Sequence, residues 1–182
     1  MGSNLPRYLV VAYPKLAKSD FDWIQAIRRE HDDLSYRAIL PHFTLFFPTH
    51  EFTAKTISEA VRTAISGIRM FRFSLRSALL MPPLDGGEYS YIFLVPDEGF
   101  SQFIRLNSLI YSRNLKAAQR NDLPFVPHLT VASSKNLLHC RGLSDEINNG
   151  RPEISGLIDS LEIAVEDGDK ISTVEKIRLD PQ

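Results

Sequence analysis

The chain has 182 residues, of which 43% are hydrophobic, and its formal net charge is -1 at pH 7. This length and apolar content are typical of one globular domain, so we treat residues 1–182 as a single domain. The near-neutral charge excludes proteins that bind nucleic acid through a globally basic surface. A single cysteine, Cys140, excludes an internal disulfide, and the apolar runs are too short to span a membrane, so we expect a cytoplasmic protein.

The order of apolar segments along the chain predicts a mixture of strands and helices. Short apolar runs and apolar alternation predict strands near 7–13, 42–47, 70–80, 89–95, 125–133, 157–166 and 170–179. Asp20 and Thr53 are expected N-caps, Ser101 precedes a long helical pattern, and a further helix is expected over 136–148. The turn sequence EDGDK joins the last two strands, and the prolines and glycines within 82–87 indicate a hairpin turn. Hairpins combined with helices predict an α+β domain built on an antiparallel sheet.

Two of the predicted strands begin with the same pattern, Pro-His-apolar-Thr-aliphatic, which reads PHFTL at 41–45 and PHLTV at 127–131. From the composition, roughly 0.01 matches to Pro-His-x-Thr are expected by chance, so a pair of matches indicates a functional feature. Because side chains alternate along a strand, each His shares a face with the Thr two residues later. Each strand therefore carries a polar pair on one face and an apolar anchor on the other.

Two imidazoles and two hydroxyls in this pattern suit chemistry at a phosphodiester. An unperturbed imidazole titrates at about pH 6.5, so one ring can accept a proton from water while the other, protonated, donates to the leaving oxygen. A threonine hydroxyl on the same face can hold a non-bridging phosphate oxygen. We therefore take His42, Thr44, His128 and Thr130 as the candidate catalytic residues. A metal site would need a third ligand near the two histidines, and no spacing in the sequence indicates one.

The pair HFTL and HLTV resembles the two H-x-[ST]-aliphatic motifs of the two-histidine phosphoesterase superfamily, which includes bacterial 2'-5' RNA ligase-like proteins and 2',3'-cyclic nucleotide phosphodiesterases. The predicted elements follow that family's order over most of the chain. The resemblance implies one domain of two interleaved lobes, whose antiparallel sheets are related by a pseudo-twofold axis, flanked by helices and separated by the active-site cleft. It implies that the four motif residues are the catalytic tetrad and that neither a metal nor another cofactor is needed. The implied partner is a nucleotide or RNA end with a cyclic phosphate or a 2'-5' linkage, and we expect a monomer that binds no membrane.

Six further residues are candidates for substrate binding, namely Phe47, Arg72, Arg76, Tyr91, Phe125 and Lys135. Many relatives carry an arginine soon after the second motif, in a run resembling HLTLAR, where this chain reads HLTVASSK. The lysine of that run either takes over phosphate attraction or is a solvated surface residue. The two arginines alternate with apolar residues, so they share one strand face, which either lines a phosphate groove or faces solvent. The three aromatic side chains either stack on a base or pack in the core.

Two classes of function stay open at this level. The first is a metal-independent phosphoesterase that opens or forms cyclic or 2'-5' phosphodiesters. The second is a nucleotide- or RNA-binding module of the same fold with little or no turnover. The two intact His-Thr pairs favour the enzyme, because a pure binder needs phosphate contacts but not two titrating groups.

Overall fold

The computed structural model describes residues 6–83, 86–120, 122 and 124–181, and it contains an antiparallel sheet with helices packed on it. The strands are β1 (Arg7–Ala12), β2 (Lys15–Leu16), β3 (Phe43–Thr49), β4 (Phe71–Met81), β5 (Ser90–Pro96), β6 (Leu129–Ser134), β7 (Ile154–Ile158), β8 (Ser160–Asp167) and β9 (Lys170–Arg178). The helices are α1 (Lys18–His31), α2 (Ala54–Ala64), α3 (Phe100–Ile110) and α4 (Leu137–Asn149), with a 3₁₀ helix over Arg113–Ala118. The predicted α+β class is confirmed. None of these helices is long and apolar enough to cross a membrane.

The strands form one nine-stranded sheet in the order β2-β7-β4-β5-β6-β3-β1-β8-β9. The motif strands β3 and β6 are neighbours near the middle, and they pair antiparallel only at Phe43 and Leu129. Both strands begin at this pair and run in opposite directions from it, so they overlap nowhere else. The resemblance implied two separate sheets, whereas the described strands form two halves of one sheet, joined at this short contact.

The repeated sequence motif corresponds to a repeated arrangement of elements. In one half β1 is followed by α1 and then by β3, which pairs antiparallel with β1. In the other half β5 is followed by α3 and then by β6, which pairs antiparallel with β5. The helix of each half packs against the motif strand of the other half, because α1 contacts β6 and α3 contacts β3.

The motif strands bury their apolar residues in the main core. Phe43 and Leu45 of β3, and Leu129 and Val131 of β6, are fully buried. The Phe43 ring stacks on Phe103 of α3, with the ring centroids 4.2 Å apart. The predicted alternation is therefore confirmed, and the His-Thr pairs lie on the opposite face of the sheet.

Two helix starts differ from the sequence prediction, and both lie earlier in the chain. Asp20 is not the N-cap of α1 but lies in its first turn, where a carboxylate is favourable to the helix dipole. Ser101 lies in the first turn of α3, and Gly99 takes the N-cap position with a φ of 84°. The long helix predicted after Ser101 ends at Ile110 and is followed by the 3₁₀ helix. Thr53 is the N-cap of α2 as predicted, since its hydroxyl accepts a hydrogen bond from the Thr56 N–H.

The predicted strand over 157–166 is two strands, because the chain crosses from one half of the sheet to the other at Asp159. Before this point β7 pairs with β4, and after it β8 pairs with β1. The hairpin predicted around 82–87 is present, since Met81 of β4 pairs with Tyr91 of β5, although residues 84 and 85 lie outside the described residues. The EDGDK turn joins β8 and β9 as predicted.

Candidate active site

The pairing of β3 with β6 brings the four candidate catalytic residues together. With Phe43 opposite Leu129, the antiparallel register places His42 opposite Thr130 and Thr44 opposite His128. Directly opposed side chains have Cβ atoms about 4.5–5.5 Å apart, and diagonal neighbours such as the two histidines are roughly 7–8 Å apart. All four side chains lie on one side of the sheet, which we call the motif face. This spacing lets one phosphate lie between the two imidazoles.

Each imidazole is held by the same backbone contact. His42 Nδ1 lies 2.8 Å from the carbonyl oxygen of Leu40, and His128 Nδ1 lies 2.6 Å from the carbonyl oxygen of Val126. Because a carbonyl oxygen only accepts, Nδ1 must carry the proton in both rings. The Nε2 atom of each neutral ring is then unprotonated and can accept a proton from water or a hydroxyl.

Both histidines are held in the neutral form in the free protein. Burial lowers the pKa of His42 to about 4; the Leu40 carbonyl opposes this shift, and the charge of Arg28 adds to it. Burial also lowers the pKa of His128, against a smaller opposing effect of the Val126 carbonyl. An anionic phosphate between the rings would raise both pKa values, because a nearby negative charge favours the imidazolium form.

An aromatic cavity of about 400 Å³ opens on the motif face beside His128. The Phe93 ring stacks on the His128 imidazole, with centroids 3.6 Å apart and an interplanar angle of 16°. Tyr91 stacks on Phe93 at 5.9 Å and lines the same cavity. The other residues that line the aromatic cavity are Phe47, Met81, Gly87, Glu88, Tyr89, Pro124 and Val126.

A second cavity, of about 490 Å³, is lined by Tyr13 and Leu40, the two residues that neighbour the His42 ring. Tyr13 directly follows β1, next to Ala12, which pairs with Phe43. Its ring centroid lies 6.2 Å from that of His42. The wall of this cavity includes Glu162, which accepts a hydrogen bond from the Thr173 hydroxyl at 2.6 Å and pairs with Lys176 at 3.0 Å. The two cavities differ in their side chains: the first is lined mainly by aromatic residues, whereas the second combines charged, hydroxyl-bearing and aliphatic ones.

A family model for the 2'-5' RNA ligase superfamily matches residues 14–170. The chain belongs to this superfamily. The resemblance to two-histidine phosphoesterases that the two motifs indicated is thereby confirmed. Members of the superfamily are phosphodiesterases or phosphoesterases.

Solved structures agree with this assignment at the level of the fold. The apo structure of E. coli LigT is 16% identical, with 96% of this chain and 98% of that chain covered and a TM-score of 0.57. A protein described as a phosphoesterase is 15% identical, with the same coverage and a TM-score of 0.57. Kluyveromyces marxianus Usb1 is 12% identical, with 92% and 97% covered and a TM-score of 0.56. Similar structures also include LigT complexed with 3'-AMP and Usb1 with uridine monophosphate. No curated protein matches the chain by sequence.

Three of the other residues that the sequence indicated lie at or near the aromatic cavity. Phe47 and Tyr91 line it. Lys135 lies just beyond β6, where its Nζ is 2.6 Å from Glu88 Oε2 and 5.3 Å from the centroid of the Tyr89 ring, and both partners line the cavity. The lysine that stands near the arginine position of other superfamily members is thus at the rim, in an exposed ion pair.

The remaining three line neither of the two cavities. Phe125 is half-buried and packs against the main core. Arg72 and Arg76 are exposed on one face of β4, as the alternation predicted, but β5 separates this strand from β6. Arg76 is held by Asp97 at 2.9 Å and by Glu153 at 3.5 Å. Neither arginine is among the residues that line the aromatic cavity.

Two aromatic residues next to the histidines, Phe93 and Tyr13, were not predicted from the sequence. Phe93 was detectable in principle, because it continues the alternation of Tyr89 and Tyr91 along β5. Tyr13 lies just beyond β1, nearly thirty residues before the first motif, and no local pattern linked it to His42. Its pKa is raised, first by burial and then by the nearby charge of Glu162, so the phenol stays protonated as a hydrogen-bond donor.

Proposed function

We propose that the chain is a phosphoric diester hydrolase that acts on 2',3'-cyclic phosphates or 2'-5' linkages at nucleotide or RNA ends. Its membership of the superfamily supports this substrate class. The ligands of its structural neighbours support it too, since structures are known of LigT complexed with 3'-AMP and of Usb1 with uridine monophosphate. The proposed catalytic residues are His42, Thr44, His128 and Thr130.

The observation that carries the proposal is the single pairing of β3 with β6, which places both His-Thr pairs on the motif face. Histidines with a purely structural role need not be held in the same way. Here both rings donate from Nδ1 to the carbonyl two residues earlier, which leaves both Nε2 atoms available for proton transfer. Two such groups on one face match the acid and base that phosphodiester hydrolysis requires.

In the proposed reaction, the attacking water loses its proton to the Nε2 atom of the neutral imidazole as its oxygen bonds to phosphorus. The other imidazole, protonated when the anionic substrate binds, donates its Nε2 proton to the ribose oxygen as the P–O bond breaks. The hydroxyls of Thr44 and Thr130 donate hydrogen bonds to the non-bridging oxygens, where negative charge develops. Each proton transfer contributes about 10²–10⁴-fold to the rate. The orientation of the ribose decides which ring acts as base.

The aromatic cavity is the proposed site for the nucleobase. Its walls offer the ring faces of Tyr91 and Phe47 close to His128, and stacking of a base on such rings tolerates any base. Lys135 at the rim supplies a positive charge that favours an anionic substrate. The second cavity, which Tyr13 and Leu40 line, is left for the ribose or for the next nucleotide of an RNA end.

The test is a panel of 2',3'-cyclic nucleotides and 2'-5' linked dinucleotides, incubated with the wild type and with His42→Ala and His128→Ala variants. Product formation is followed by chromatography. Each variant is expected to lose at least about 10²-fold in kcat on any compound that the wild type hydrolyses. The double variant should lose much less than the product of the two single losses, because the two rings act as a unit. His50→Ala, which removes an exposed imidazole, is the matched control and should retain wild-type activity.

The same panel is run with a chelator, because the described residues contain no group of three His, Cys, Asp or Glu side chains placed to hold a metal ion. Turnover should survive chelation. Loss of turnover that zinc or manganese restores would instead favour a metallohydrolase. Binding of nucleotides without turnover would favour the binding module, and near wild-type turnover in both alanine variants would exclude the two-histidine mechanism.

A further inference from the structure

A fully buried ion pair lies near the motif face. Arg28 of α1 and Asp32, just after the helix, have side chains that are 1% and 0% exposed, with Arg28 Nε 3.2 Å from Asp32 Oδ2. Replacing a buried ion pair with apolar residues is often neutral or stabilising, so stability alone gives weak grounds for such a pair. Its hydrogen bonds to the surrounding backbone indicate another role.

Arg28 holds the loop that leads from α1 to the first motif. Its Nη2 donates to the carbonyl oxygens of Ser35 and Ile39, at 3.0 and 2.8 Å. The next carbonyl after Ile39 is that of Leu40, which accepts the Nδ1 proton of His42. The guanidinium therefore holds the backbone one residue before the group that orients the His42 ring.

Asp32 fastens the same loop to the strand of the second motif. Its Oδ1 accepts a hydrogen bond from the Ser133 hydroxyl of β6 at 2.8 Å, and Ser133 is fully buried. The Ser133 hydroxyl oxygen accepts from the Leu34 N–H at 3.0 Å, and its carbonyl oxygen accepts from the Asp33 N–H at 3.1 Å. Ser133 lies three residues after Thr130, so the loop before one motif is tied directly to the strand of the other.

We propose that Arg28, Asp32 and Ser133 are positioning residues, which set the orientation of the His42 ring relative to His128. The guanidinium fixes the distance from the ion pair to the loop carbonyls, and Ser133 fixes the distance from the ion pair to β6. Loss of either link lets the Leu40 carbonyl move. The tautomer and the orientation of the His42 ring, which this carbonyl sets, then change as well. The role in turnover rests on the proposed function, whereas the orientation of the ring does not.

The test uses two variants, Ser133→Ala and Arg28→Lys. Ser133→Ala removes one hydroxyl that bonds both Asp32 and Leu34. Arg28→Lys keeps the positive charge but loses the planar fork that reaches several acceptors at once. The matched control is Ser144→Ala, because Ser144 of α4 is also buried and its hydroxyl donates to the Ala78 carbonyl on β4.

The first measurement is the imidazole nitrogen spectrum by NMR, without substrate. The wild type and Ser144→Ala should give the Nδ1-protonated tautomer for both histidines. Ser133→Ala should give a mixture of tautomers or displaced nitrogen shifts for His42 only, with His128 unchanged. Unchanged His42 signals in Ser133→Ala would overturn the inference, whether or not the protein hydrolyses any phosphodiester.

The second measurement is turnover of a cyclic nucleotide that the wild type hydrolyses. Ser133→Ala and Arg28→Lys should lower kcat by about 10- to 100-fold, because a small misplacement of a catalytic group is costly, while KM stays within about twofold. Ser144→Ala should match the wild type. A rise in KM with unchanged kcat, or an equal loss in Ser144→Ala, would contradict a positioning role. If the wild type hydrolyses no compound in the panel, the proposed function fails and the NMR result alone decides this inference.

Discussion

The low pKa of His42 predicts a specific dependence of stability on pH. An unfolded chain protonates this histidine at about pH 6.5, whereas burial lowers its pKa in the folded protein to about 4. Between these two values the unfolded state binds more protons, so the free energy of unfolding falls as the pH is lowered. The contribution is fully present above the unfolded pKa. At 1.36 kcal/mol per pKa unit, the neutral His42 ring contributes about 3 kcal/mol to the free energy of unfolding, and most of this is lost by about pH 4. The contribution is somewhat smaller if the ring is only half-buried.

The assay is urea unfolding of the wild type and of a His42→Gln variant, at intervals from about pH 7.5 to pH 4.5. Glutamine does not titrate, so the difference between the two unfolding free energies isolates His42 from the carboxylates and the other histidines. That difference should change by about 2–3 kcal/mol in favour of the variant as the pH falls. His50→Gln, which removes an exposed imidazole, should follow the wild-type curve. If the wild-type and His42→Gln free energies fall in parallel, burial does not hold the His42 ring neutral.

Two further predictions follow from the same geometry. Both histidines have lowered pKa values in the free protein, so kcat/KM for a cyclic nucleotide should peak below about pH 6.5. The peak of kcat should lie at a higher pH, because bound phosphate raises both pKa values. A kcat/KM that is level or rising from about pH 6.5 to pH 8 would contradict this prediction. Gly156→Ala should lower the free energy of unfolding by about 1–3 kcal/mol, because the new Cβ would lie 2.5 Å from Cζ of the Phe73 ring, in a filled core. Gly142→Ala, where a new Cβ meets nothing within 4 Å, is its control in thermal or urea unfolding, and equal stability losses in both would argue against overpacking.

The motif residues were predictable because the alternation of a strand is a local property. The buried Phe43 and Leu129 lie where the spacing placed them, and the His-Thr pairs lie on the other face. The pairing of these two residues with each other is not local, since it joins positions more than eighty residues apart, and only the resemblance implied a shared site. The single continuous sheet also escaped prediction, because the overlap of β3 with β6 is too short to leave a sequence pattern.

Irregular pairing explains why the residues around the aromatic cavity were harder to predict. A register shift between Ile92 and Phe93 on the ladder with β6 sets which aromatic side chain of β5 meets His128, and the sequence gives no sign of that shift. The ion pair of Arg28 and Asp32 was missed for another reason. In the sequence it belongs to the charged run RREHDD, which is typical of a solvated helix end, whereas Arg28 is 1% exposed in the fold.

Each half of the sheet is packed by the helix of the other half, and this arrangement limits how a shorter protein could form the same site. Each motif strand is covered by the helix of the other half, as α1 contacts β6 and α3 contacts β3. A shorter protein with one strand–helix–motif unit could therefore complete this site only as a dimer that swaps its helix with a second copy. Within a single chain the swap is permanent and independent of protein concentration. It also couples the two motif strands, so that local unfolding of either half removes the helix that packs on the motif strand of the other.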